Sequence, residues 1–228
     1  MSEQPESPGL VKRAHLGVLI AMQLVMALEL LFLVRDARWM HVFLVVSVMA
    51  ATLVPVVARK RLPVVIPSEL QLLAILFIFA TLFLGEVRDY YEWLWWWDLA
   101  LHGTAGLLLG LLGFLIVYIL NENELVDLRM RPSFIALFAF FFGLGIGTLW
   151  EIFEFAMDQL FGFNMQKPML GDPSGLTDTM WDLIVDAIGA AVMSFIGWRT
   201  MKEQRKGRID NWVRRFIQRN PQLFYRGK

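Results

Sequence analysis

The sequence predicts an all-α polytopic membrane protein: six transmembrane helices, both termini cytoplasmic, and a C-terminal amphipathic helix at the inner interface. Three observations predict it. Hydrophobic residues make up 57% of the 228-residue chain and charged ones 18%, with a mean hydropathy of +0.54. Soluble domains usually hold about 25% charged and about 45–50% apolar residues. Six stretches are apolar all round and long enough to cross a bilayer, which takes roughly 20 helical residues. Finally, 17 of the 21 Lys and Arg fall on one side of the resulting topology and 4 on the other, and cations favour the cytoplasmic side.

The first stretch, Ala14–Val34, exceeds the apolar region of a cleaved signal peptide, and Arg35-Asp36 follows it instead of a small-residue cleavage site. Trp39–Ala58 and Pro67–Gly85 are separated by Arg59-Lys60-Arg61-Leu62-Pro63. Tyr90, Tyr91, Trp93, Trp95, Trp96 and Trp97 precede the fourth stretch, Asp98–Leu120, as aromatic residues do at a membrane interface. The fifth, Ser133–Leu160, and sixth, Thr177–Trp198, are joined by Phe161–Leu176, whose Pro168, Gly171, Pro173 and Gly175 predict irregular structure. Gly106/Gly110 and Gly143/Gly147 let the fourth and fifth helices approach neighbours closely. Residues 1–200 read as one transmembrane domain and 201–228 as a basic tail. In that tail Ile209, Trp212, Val213, Phe216 and Ile217 form an apolar stripe flanked by Arg208, Arg214, Arg215 and Arg219. Trp212, Phe216, Arg214 and Arg215 are the expected membrane anchor.

The chain has no cysteine, which excludes disulfides, cysteine-based metal centres and thiol nucleophiles. Its formal net charge is zero, which argues against a nucleic-acid partner. The zero total hides polarity: 13 of the 21 acidic residues fall on the outer side, opposite the cations.

Those acids are patterned. Asp98 and His102 are four apart at the start of the fourth span. Glu151, Glu154 and Asp158 follow i, i+3, i+7 near the end of the fifth, and Asp178, Asp182 and Asp186 follow i, i+4, i+8 at the start of the sixth. Each set lies on one helix face. With a rise of 1.5 Å per residue, Asp186 lies ~12 Å deeper than Asp178 and Glu151 ~10 Å deeper than Asp158. All these residues belong to the outer half of the bilayer, where buried ionisable groups mark functional sites by default. Asp98, Asp158 and Asp178 read equally as helix caps or site rim. The deeper carboxylates have no intramembrane Lys or Arg to pair with, so protons or a cation must neutralise them. The expected ligand pool is His102, Glu151, Glu154, Asp182 and Asp186. Within it, His102, Glu154 and Asp182 are assigned to a metal, and Glu151 and Asp186 to catalysis. Oxygen ligands with one imidazole suit Zn²⁺, Mn²⁺, Mg²⁺ or Ca²⁺.

Three motifs carry a family resemblance: Trp97-Asp98-x-x-Leu101-His102-x-x-x-Gly106, Trp150-Glu151-x-x-Glu154-Phe155-x-x-Asp158 and Asp178-Thr179-x-x-Asp182-x-x-x-Asp186-x-x-Gly189-Ala190. Over roughly residues 67–198 the chain resembles the YjdF-type family of bacterial membrane proteins. More distantly it is similar to VanZ-like membrane proteins, departing from them in its longer acidic set and Trp-rich entry. The resemblance implies a bacterial inner-membrane location and supplies no reaction.

Three functions stay open on the sequence. One is a metal-dependent enzyme, of hydrolase type, acting on a lipid-linked or envelope substrate from the outer side. Another is a non-enzymatic scaffold or binding protein. The third is a cation- or proton-coupled transporter, disfavoured because the acids crowd one half of the membrane and no inverted repeat is visible. Membrane lipids are partners in all three.

Overall fold

The computed structural model describes residues 8–58, 68–121 and 130–202, which contain helices and no strand. The helices are α1 (Pro8–Arg35), α2 (Trp39–Ala58), α3 (Ser68–Ile78), α4 (Tyr90–Trp93), α5 (Trp97–Asn121), α6 (Pro132–Phe161) and α7 (Leu176–Lys202). A π-helical stretch, Phe79–Val87, continues α3 directly. Five stretches are long and apolar enough to cross a membrane: Leu16–Arg35, Leu70–Val87, Trp97–Tyr118, Pro132–Phe161 and Leu176–Lys202. Within α2 the corresponding apolar stretch, His41–Val54, is shorter. The anchor residues Trp212, Arg214, Arg215 and Phe216 lie outside the described residues.

The outward faces of these helices are as apolar as their cores. On α1, Leu19, Met22, Met26 and Leu33 are buried, while Leu16, Ile20, Leu24, Leu28 and Leu31 are exposed. A water-soluble helix carries polar residues on its outer face. An apolar one matches a hydrocarbon surround.

The chain divides into two compact units, Met1–Trp97 and Asp98–Lys228. In the first, the α1 stripe packs on Val45 and Val48 of α2, Ile75 of α3, and Phe83 and Val87 of the π-helical stretch. Polar ties join these helices, one part-buried and one exposed. Gln23 Nε2 donates to Thr52 Oγ1 at 2.9 Å and to the Met49 carbonyl at 3.2 Å. Arg88 Nη1 donates to both oxygens of Glu29 at 3.1 Å. Gly85 lies against the Tyr91 ring, where any Cβ would overlap it.

In the second unit small residues set the spacing of α5, α6 and α7. A Cβ at Gly106 would collide with the Asp186 backbone, and one at Gly189 with the Gly103 carbonyl, so α5 and α7 meet backbone to backbone. Gly143 of α6 packs on Ala190 and on Gly110. This is the close approach that the GxxxG pairs permit. Toward one end, Phe114 and Val117 of α5 pack with Ile135 and Ala139 of α6. The other end holds the carboxylates.

Candidate functional site

Each helix delivers its acidic residues on one face, and the three faces converge. Asp178, Asp182, Asp186, Glu151, Glu154 and His102 are all buried, Asp182 and Asp186 completely. The His102 imidazole sits in the middle. Its Nδ1 is 3.3 Å from Asp186 Oδ2. Its Nε2 faces two oxygens, Glu151 Oε1 at 3.6 Å and Asp98 Oδ1 at 3.8 Å. Asp186 is pressed from behind by α6, because Gly147 leaves its carboxylate the volume a Cβ would fill.

Asp98, His102 and Asp182 each offer a ligand atom, and these atoms lie within 4.8 Å of one another. Both Asp182 oxygens and Oδ1 of Asp186 are buried without a hydrogen-bond partner. Glu154, outside that group, accepts a 2.8 Å hydrogen bond from Trp150 Nε1. The grouping therefore includes Asp98, which the sequence offered as cap or rim, while Glu154 stands with Trp150.

Asp158 and Asp178 hold the connection between α6 and α7. Asp158 accepts from the backbone N–H groups of Met165 and Gln166 at 2.7 and 2.9 Å. Asp178 accepts from that of Lys167 at 2.7 Å, and Gln166 Nε2 donates to Thr179 Oγ1 at 2.7 Å. The connection, expected to be irregular, is thus tied down at consecutive residues. Gly162, at φ 66°, ends α6 in the left-handed conformation that glycine adopts freely.

Asp172, to which the sequence assigned no role, organises the entry to α7. It accepts hydrogen bonds from the N–H and hydroxyl of Ser174 and from those of Thr177. The Ser174 bonds first, then those of Thr177, hold its carboxyl well below the usual carboxylate range. The signal was present: Asp172, Ser174 and Thr177 just ahead of an apolar run form a capping and turn pattern.

Besides Asp158 and Asp172, six carboxyl groups (Asp98, Glu151, Glu154, Asp178, Asp182 and Asp186) thus share this end of the unit with a single imidazole. Coulomb repulsion among several carboxylates in a low-dielectric interior is severe, so protons or a cation must neutralise the excess.

A family model described as predicted membrane protein (DUF2238) matches residues 18–203. A Thermotoga maritima protein described as an uncharacterized protein is 31% identical over 148 residues, covering 64% of this chain and 70% of that one. No solved structure matches.

Proposed function

Because the chain belongs to the DUF2238 family of predicted membrane proteins, we propose that it is a multi-pass bacterial inner-membrane protein whose α5 and α7 hold a divalent cation at Asp98, His102 and Asp182. With that cation it acts on, or recognises, an envelope or lipid-linked ligand from the outer side. The YjdF-type likeness agrees with this family. The six spans expected from the sequence, with the 17-to-4 division of Lys and Arg that follows from them, support the outward placement of the acidic end.

The carrying observation is Asp182, fully buried with both oxygens unpartnered beside Asp98 and His102. An unsatisfied buried carboxylate costs at least about 1–3 kcal/mol, and more when ionised; a cation removes that cost. The spacing is also suitable. The separation of 3.8 Å from His102 Nε2 to Asp98 is too long for a hydrogen bond. A tetrahedron with bonds of about 2.2 Å has edges of about 3.6 Å, so ligands around one ion stand this far apart. Opposite ligands of Ca²⁺, bound at about 2.4 Å each, span about 4.8 Å. The contact of Asp186 with Nδ1 leaves Nε2 for the ion, the carboxylate–histidine support common in metal sites. Glu151, facing the same nitrogen, would serve as general base in hydrolytic chemistry if a bound cation supplied the Lewis acid.

The test is metal analysis and thermal unfolding of the detergent-purified full chain, stripped and reloaded with Mn²⁺, Zn²⁺, Mg²⁺ or Ca²⁺. About one ion per chain is expected, with stabilisation of about 2.7 kcal/mol at a hundredfold excess over Kd, both abolished in Asp182→Asn. Absence of bound metal and of any cation-dependent shift would overturn the proposal.

A further inference from the structure

The opposite end of α6 and α7 carries a feature that the cation site does not use. Ser133, Ala136, Leu137 and Phe140 of α6 face Ala191, Ser194, Phe195 and Trp198 of α7 across an open, mainly apolar groove of about 350 Å³. Both sets follow i, i+3, i+4, i+7, so each helix contributes one continuous stripe. The volume lies within the range of small-molecule sites, about 300–1,000 Å³. Beneath the apolar wall, Ser194 Oγ is buried without a hydrogen-bond partner.

The groove ends among cations. Arg199 and Lys202 occupy the last turn of α7, and Arg131 precedes the first turn of α6. Lys202 Nζ lies 4.9 Å from the centroid of the Trp198 ring, so a groove-lining aromatic holds an ammonium at the groove's mouth. Apolar stripes leading to a basic mouth match one chemistry: an acyl chain joined to a negatively charged headgroup.

We propose that this groove binds an anionic phospholipid, one acyl chain lying between α6 and α7 and the phosphate resting against Lys202 and Arg199. The chain length of α7 between Ser194 and Lys202, about 12 Å at 1.5 Å per residue, separates the acyl region from the headgroup. Anionic lipid attracts basic residues near a membrane surface, and the apolar stripes give the chain a fixed seat. The inference stands apart from the cation site, because its residues lie at the start of α6 and the end of α7, whereas Asp182 lies near the start of α7.

The experiment titrates the delipidated full chain in neutral detergent with phosphatidylglycerol or phosphatidylcholine, read by native mass spectrometry and thermal shift. Wild type should retain phosphatidylglycerol preferentially. Arg199→Ala with Lys202→Ala should weaken retention by about fivefold per cation removed. Ala191→Phe, which fills the groove, should abolish it. Val192→Phe, exposed on α7 but outside the groove, should leave it unchanged. Equal retention of the two lipids, or undiminished retention in Ala191→Phe, would overturn the proposal. So would a chain dimer that Ala191→Phe dissociates and phosphatidylglycerol does not, which would assign the groove to a second copy.

Discussion

Replacing Gly147 with alanine tests whether helix packing sets the geometry of the acidic cluster. A Cβ at this position would overlap Oδ2 of Asp186 and stand 2.9 Å from its Cγ. Asp186 is fully buried and the same oxygen meets His102 Nδ1 at 3.3 Å. The new methyl therefore has to displace the carboxylate that supports the imidazole. Overpacking of this kind costs about 1–3 kcal/mol. Alanine also gains up to about 1 kcal/mol of helix propensity over glycine, which would obscure the loss in a single variant. Gly145 supplies the control, since it lies on the same helix with nothing within 4 Å of the added Cβ. Gly147→Ala should be less stable than Gly145→Ala by about 1–3 kcal/mol. At about 2–4 °C per kcal/mol for a chain of this size, thermal unfolding in detergent resolves the difference. Cation retention should fall in Gly147→Ala alone. Equal midpoints and equal retention in the two variants would refute the packing of Asp186 on Gly147 and its support of His102.

Other expectations concern the acids around that centre. Without added cation, Asp182→Asn should unfold within about 1 kcal/mol of wild type, because it removes an unpartnered carboxylate; a loss of several kcal/mol would mean that Asp182 is engaged in the protein itself. Asp158→Ala leaves the Met165 and Gln166 N–H groups without their acceptor, at about 1–3 kcal/mol. Hydrogen exchange should accelerate at those amides and not in α5. For Asp172 the folded pKa is depressed, so its contribution is present above the ordinary aspartate value and is lost as pH falls through the folded one. Exchange at Ser174 and Thr177 should therefore stay protected at pH 4 in wild type and be fast in Asp172→Ala; equal rates would refute the turn network. Glu29→Gln should cost no more than about 1 kcal/mol, since Arg88 is half exposed, as chemical unfolding would show.

Much of the acidic cluster was legible because its spacing is local. Four residues make one helical turn, so Asp98 with His102, and Asp178 with Asp182 and Asp186, share a face whatever surrounds them. The partners across helices were not legible. Which of Glu151, Glu154, Asp182 and Asp186 faces His102 depends on the rotation of α5, α6 and α7 about their axes, and small-residue contacts such as Gly106 on Asp186 set those rotations. The 2.8 Å bond from Trp150 to Glu154 was within reach of sequence reasoning, since the two are also one turn apart. The tie between Lys167 and Asp178 was not, because it depends on the path of the intervening backbone.

By itself the sequence determined that this chain is helical, that apolar residues dominate its helices, and that its acids recur at helical spacing in three of the apolar stretches. Those properties follow from composition, period and order along the chain. The tertiary structure decided which oxygens surround His102, which acids tie down the connection between α6 and α7, and where α6 and α7 leave a groove. The physical reason is that helix contacts are settled at the scale of a single methyl group: glycine admits a neighbour's backbone or carboxylate where alanine would exclude it, and hydropathy does not register that difference.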